Sequence, residues 1–199
     1  MDDEPATEIL RATYRALCTH GYANLTLQDI AAESELSKAS IHYHYESKDE
    51  LFAAFLEYLY ERHTDHFESI DGDSAPERLR SLLSLLLTEE GDAPVTEFGT
   101  AMLEVKAQAP YDDAIRARLE EFDELLFGHL RDILADGVES GAFDDRVEPV
   151  RDAELLTATI TGAHTREVAI DHGPDRLYEA LTEYERVHLL DEDAPEVTH

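Results

Sequence analysis

Residues 38–48 bring together side chains that hydrogen-bond well to base edges and phosphates. Lys38 and Ser40 are donors at the leading end of a short helical stretch, Ala39 is small enough to permit close approach, and Tyr43 and His44 follow in the same stretch. Lys48 stands where a further helix begins, so a cation and free backbone N–H groups there favour a phosphate oxygen. The histidines suggest a second chemistry. His42 and His44 form a His-x-His pair, and His63 and His66 stand three apart on one helix, a spacing that zinc sites use. Neither pair has a cysteine partner or a third ligand nearby, so both read as solvated or as facing the same bases and phosphates. No nucleophile with a positioned base, no glycine-rich phosphate loop and no paired carboxylates stand out from the acid-rich background. The chain is therefore expected to be no enzyme and to carry no metal or cofactor.

Such side chains need helices to present them, and the punctuation of the sequence provides these. Ile9, Leu10, Thr13, Tyr14, Leu17 and Cys18 recur at helical spacing, predicting a first helix from about Pro5 to His20 that Gly21 ends as a left-handed cap. Thr26 caps a second helix, Leu27 to Ser34, with Leu25 and Ile30 as a hydrophobic staple. Ser37 repeats the arrangement for a helix from Lys38 to His44, with Leu36 and Ile41 as the staple. Ser47 and Glu50 form a capping box before Leu51, Phe52, Phe55, Leu56 and Leu59, the buried face of a long helix reaching about residue 68. Two short helices joined by Glu35, Leu36 and Ser37 have the proportions of a helix-turn-helix, whose second helix enters the major groove. Tyr45 reads as a core aromatic.

Gly72, Asp73, Ser74 and Pro76 mark a loop and a domain boundary over Asp71 to Pro76. Beyond it, helical patterns run through Leu79, Leu82, Leu83 and Leu86, then Phe98, Met102 and Val105, then Ile115 to Val138, which Gly141 closes. A further helix covers about Asp152 to Asp171, and a last one contains Leu177, Tyr178, Leu181 and Tyr184. No alternating strand pattern appears. The expected fold is all-α with about nine helices. Residues 1–50 form a helix-turn-helix domain, the helix over about 47–68 links, 74–190 form a helical effector-binding and dimerisation domain, and 191–199 form an acidic tail.

The 199 residues include 46 acids and 16 bases, a net charge of -30, with the acids spread over nearly every segment. In dilute buffer that charge repels itself; near molar salt the Debye length falls to about 3 Å and the repulsion is screened. The surface resembles that of proteins from halophiles with a salty cytoplasm, and a haloarchaeal source is expected. With 43% hydrophobic residues in helical periods, disorder does not fit. The lone Cys18 reads as a small core residue, and no apolar run reaches the roughly 18 residues that span a bilayer, so a cytoplasmic protein without membrane contact is expected.

The run Gly21-Tyr22, Thr26, Ile30-Ala31, Ser37, Ala39-Ser40-Ile41, Tyr43-His44-Tyr45 and Ser47-Lys48-Asp49-Glu50-Leu51 resembles the N-terminal domain of the TetR family of transcriptional regulators. The resemblance implies a three-helix DNA-binding domain, a variable helical C-terminal domain and a homodimer in which a small-molecule effector spreads the reading heads and releases the operator. The DNA-binding set is then Thr26, Gln28, Ser37, Lys38, Ala39, Ser40, His42, Tyr43, His44 and Lys48. Two positions depart from the family pattern: Glu35 stands where the turn usually has glycine, bringing a carboxylate near DNA, and His42 and Tyr45 replace the usual tyrosine and phenylalanine.

The resemblance also implies an effector cavity walled by the sixth and seventh helices, where Phe98, Met102, Phe122, Leu126 and His129 are the candidates. A dimer through the last two helices would use Ala158, Thr159, Gly162, Ala163, Leu177, Leu181 and Tyr184. Two-fold symmetry places the reading helices roughly 34 Å apart on a palindromic double-stranded operator. Residues 1–50 carry ten acids and four bases, a net of -6. Counterion release, which normally supplies affinity and shrinks with salt, would contribute little, leaving base-edge contacts, helix N-termini and cations shared between carboxylates and phosphates. The alternative is a helical dimer acting through protein partners, with a vestigial DNA-binding head.

Overall fold

Helix α1 (Glu4–His20) turns Ile9, Thr13 and Leu17 fully inward and leaves Cys18 half-buried. The buried Thr13 hydroxyl donates to the Ile9 carbonyl at 2.8 Å, so no polar atom is stranded there. Gly21 closes the helix with φ +69°, its N–H donating to the Leu17 carbonyl at 2.9 Å. This computed structural model describes residues 4–34, 36–68, 70, 72–88, 95–170 and 172–190. Glu35 and the acidic tail 191–199 lie outside the described residues, as does the side chain of His66.

Among the described residues the fold is all-α, with nine helices. After α1 come α2 (Leu27–Ala32), α3 (Lys38–His44), α4 (Lys48–Glu68), α5 (Ala75–Leu87), α6 (Val95–Gln108), α7 (Asp113–Glu139), α8 (Pro149–Ile170) and α9 (Asp175–Tyr184). The sequence places α2 two residues too long. It ends earlier because the Ser34 hydroxyl donates to the Ala31 carbonyl at 3.3 Å and receives the Leu36 N–H at 3.2 Å, turning the backbone out of the helix. A π-helical turn, Glu185–Leu189, extends α9, which the sequence pattern does not anticipate. It is held by the buried Leu189, by the Asp144 N–H donating to the Leu189 carbonyl at 2.8 Å, and by an isolated bridge between Phe143 and Leu190.

The chain divides into two compact units, 1–63 with 93–122 and 64–92 with 123–199. These packing units cut across the segments that composition marks, because α6 and the start of α7 pack with the first sixty residues. In the first unit, Ile9 and Leu17 of α1, Ile30 of α2, Ile41 of α3, and Leu51, Phe55 and Leu56 of α4 share one core with Ala101 and Val105 of α6. Each such side chain contributes roughly 1.5–3 kcal/mol by leaving water. Both staple pairs join this core, Leu25 with Ile30 and Leu36 with Ile41, and Tyr45 packs against it. In the second unit, Leu79, Leu82 and Leu83 of α5, Leu130 and Leu134 of α7, and Leu156 and Ile160 of α8 surround Phe143. Gly137 makes room for that ring: a Cβ there would lie 2.0 Å from Phe143 Cδ2.

Candidate nucleic-acid interface

The second and third helices owe their positions to caps that act within three or four residues. At α2, Thr26 Oγ1 accepts the Asp29 N–H while the Asp29 carboxylate accepts the Thr26 N–H at 2.9 Å and its hydroxyl at 2.6 Å, a complete capping box. These bonds hold the Asp29 carboxyl below the usual carboxylate range. At α3, Ser37 Oγ accepts the Ser40 N–H at 3.1 Å. At α4, Ser47 Oγ accepts the Glu50 N–H at 3.1 Å, as the sequence predicts, but the Glu50 carboxylate receives the Glu46 N–H at 2.7 Å. The return bond of this box thus forms one residue before the cap. The far end of α2 is held from α1: Arg15 donates to the Glu33 carbonyl at 2.6 Å and to the Glu8 carboxylate at 2.7 Å. An orphan helix-end carbonyl is satisfied by a cation, the favourable sign at a C-terminus.

With α3 fixed through Ile41, which is fully buried, its other side chains point outward. Lys38, Ala39, His42 and Tyr43 are exposed, and Ser40 and His44 are half-buried. Tyr43 is 87% exposed, its ring edge-on to His44 with centroids 5.4 Å apart. Gln28 is exposed on α2. Three of the expected contact residues have other duties as well. Thr26 Oγ1 is committed to Asp29 and Ser37 Oγ to the Ser40 amide. Lys48 is the largest departure from the sequence reading. Its Nζ donates to the Tyr22 carbonyl at 3.2 Å and lies 5.0 Å from the centre of the Tyr22 ring, so it is half-buried instead of standing free beside α3. Burial draws its ammonium below the ordinary lysine value, partly offset by Asp49 and Asp29.

Sequence reasoning missed the groups that make these ties. Asp29, three residues after Thr26, was visible as a capping signal. Tyr22 and Glu104 were not, because their partners are remote in the chain. Glu104 of α6 accepts the Ala23 N–H at 3.1 Å, across 81 residues. It also lies against Gly21, where an added Cβ would meet both carboxylate oxygens at 2.9 Å. Tyr14 of α1 stacks on Phe98 of α6 with centroids 4.7 Å apart. The α1–α2 loop is therefore gripped by α6 on one side and by Lys48 on the other.

The remaining candidates lie elsewhere. Phe98, Met102 and Phe122 pack against the first unit's core, and Phe122 also takes the edges of Tyr60 and His63 at 5.6 Å. Leu126 packs against the second unit's core. His129, in the same unit, has its ring 5.1 Å from Phe67 and its Nε2 buried with no hydrogen-bond partner among the described residues. Of the expected dimer residues, Ala158 is exposed, Thr159 is partly exposed, and Gly162 faces open space. Ala163 and Leu181 are buried in their own unit's core, and Leu177 and Tyr184 pack against it. The apolar residues of α9 thus pack on their own unit's core, while Arg176, Glu179, Ala180 and Glu183 of the helix are exposed. Among the described residues, no group of three or more metal-ligating side chains is arranged to hold an ion.

Comparison with known proteins agrees with this arrangement. The family model described as "Bacterial regulatory proteins, tetR family" matches residues 9–55, and that described as "BetI-type transcriptional repressor, C-terminal" matches residues 75–189. The crystal structure of a TetR transcription regulator from Haloarcula marismortui is 37% identical, covers 94% of this chain and 99% of its own, and superposes with a TM-score of 0.86. The HTH-type transcriptional regulator TtgR of Pseudomonas putida is 25% identical over 179 residues, covering 87% of this chain and 85% of the relative. The biofilm operon negative transcriptional regulator IcaR of Staphylococcus epidermidis is 38% identical over 60 residues, 26% of this chain and 32% of the relative.

Proposed function

This chain belongs to the tetR family of bacterial regulatory proteins, and from that premise we propose that it is a homodimeric repressor released from a palindromic operator by a small-molecule effector. The observation that carries the reading is the division of α3. Ile41 anchors the helix in the core while Lys38, Ala39, His42 and Tyr43 stand exposed on it. A short helix held by one buried side chain and two capped neighbours offers a rigid face for the major groove. Gln28 on α2 and the N-terminal ends of α3 and α4 supply the phosphate contacts, with Lys48 positioned through Tyr22.

Two of the four bases of residues 1–50 are engaged within the chain. Arg15 is tied to Glu8 and Glu33 and Lys48 to Tyr22. Affinity therefore rests on base-edge contacts more than on counterion release, which suits a cytoplasm of molar salt. The net charge of -30 and the 37% identity to a protein of Haloarcula marismortui support that setting. No helix among the described residues is long and apolar enough to cross a membrane.

For the dimer, the open strip of Ala158, Thr159 and Gly162 on α8 is the contact face, flanked by the exposed Leu155 and Ile170. For the effector, each unit offers candidates of its own: Phe98, Met102 and Phe122 supply apolar surface in the first, and in the second Leu126 is apolar surface while His129 Nε2, without a hydrogen-bond partner among the described residues, is a polar contact. The test is footprinting upstream of the chain's own and adjacent genes in molar potassium chloride. A protected palindrome is expected, with affinity flat or rising as salt increases. No footprint, or a steep fall of affinity with salt, would overturn the reading.

A further inference from the structure

We propose that the second unit binds a small organic carboxylate in a cleft where the end of α8 turns into α9, a place that shares no residue with the effector contacts above. The cleft holds about 160 Å³ and is lined by Arg166, His172 and Arg176 together with Ala163, Pro174 and Leu177. Its charge is out of keeping with the chain, which has 46 acids against 16 bases. Among the described residues, arginines 15, 78, 80, 116, 118, 131, 146, 151 and 186 all make ion pairs with carboxylates. Arg11, Arg62, Arg166 and Arg176 make none among the described residues, and of these four Arg166 and Arg176 face this one cleft. Pro174 occupies the cap position of α9 and gives no side-chain acceptor to the first-turn amides, so the positive end of the helix dipole adds to the two guanidinium groups.

Guanidinium groups hold carboxylates and phosphates through paired N–H donors. Two features choose between these. The walls formed by Ala163, Pro174 and Leu177 are apolar and would stay wet around inorganic phosphate. A cavity of about 150 Å³ accommodates a ligand of benzene size. The fitting occupant is therefore a carboxylate on a compact apolar body, with benzoate as the representative.

The test is calorimetric titration of the full chain, in buffered molar potassium chloride, with benzoate and separately with inorganic phosphate. Wild type, Arg166→Gln and Arg176→Gln are compared, with oligomeric state followed by light scattering. Both arginines are exposed, so both variants should fold. We expect one benzoate per chain, at least tenfold weaker binding in each variant and unchanged oligomeric state. A shift of the His172 imidazole resonances on adding benzoate reads occupancy without any substitution. The proposal is overturned if phosphate binds and benzoate does not, if neither binds, or if the variants lose their oligomeric state, which would assign the arginines to contacts between copies. Binding that appears only after Asp171→Asn and Asp175→Asn would also overturn it, because carboxylates of this chain would then be competing with the ligand.

Discussion

Two residues of α3, two positions apart, should respond to truncation in opposite ways. Tyr43 is 87% exposed and Ile41 is fully buried. A tyrosine ring that inserts against bases covers about half of its surface, roughly 100 Å², worth about 2 kcal/mol or about thirtyfold in affinity. Because that surface faces solvent in the free protein, Tyr43→Ala should leave the folding free energy within about 0.5 kcal/mol of wild type. The higher helix propensity of alanine acts in the stabilising direction. Ile41→Ala removes the side chain that fastens α3 to α1, α2 and α4 and should cost about 2–5 kcal/mol of stability. Operator binding is measured by fluorescence anisotropy at one fixed salt concentration, and stability by denaturant unfolding followed by circular dichroism. Loss of stability in Tyr43→Ala would refute the division of the helix into a packed face and a reading face. Full operator affinity in the same variant would refute the contact with DNA. Regulation that survives substitution of both Tyr43 and Lys48 would instead favour action through protein partners.

Other substitutions probe the supports of the reading head and one buried charge. Lys48→Met removes the bond to the Tyr22 carbonyl and the contact with its ring, and should cost about 1 kcal/mol of stability besides weakening operator binding; unchanged stability would show that the tie is idle. Gly21→Ala places a Cβ at φ +69° and 2.9 Å from the Glu104 carboxylate, and should cost about 1–2 kcal/mol. Made in a Glu104→Ala background, the same change should cost less, and an identical cost in both backgrounds would rule out the clash. Glu185 is fully buried beside Arg80 at 2.9 Å, and burial pushes its carboxyl above the usual value of 4.5 more than Arg80 draws it down. A raised folded-state value means the neutral form is favoured in the fold. Its contribution is then complete below about pH 4.5 and lost as pH rises through the raised value. Wild type should therefore gain stability relative to Glu185→Gln as pH falls from 7 towards 4.5, and parallel unfolding curves over that interval would refute the assignment.

The elements of the reading head were determined by the sequence alone because their causes are local. Thr26, Ser37 and Ser47 each accept an amide three residues on, and the spacing of Ile9, Leu17, Ile41 and Phe55 follows the helical turn, so helix starts and buried faces could be read without knowing what they pack against. The all-α fold and the family were accessible for the same reason. What only the tertiary structure decided concerns partners far apart in the chain. It attached α6 to the first sixty residues, through Ala101, Val105 and the Glu104 bond to Ala23. It turned Lys48 from a free cation into one held by Tyr22, 26 residues away. It also placed Leu181 of α9 in its own unit's core, with Leu177 and Tyr184 packed against that core. A periodic apolar stripe specifies that a face is buried, but the energy of leaving water is nearly indifferent to which neighbour covers it, so only the packed fold names the neighbour.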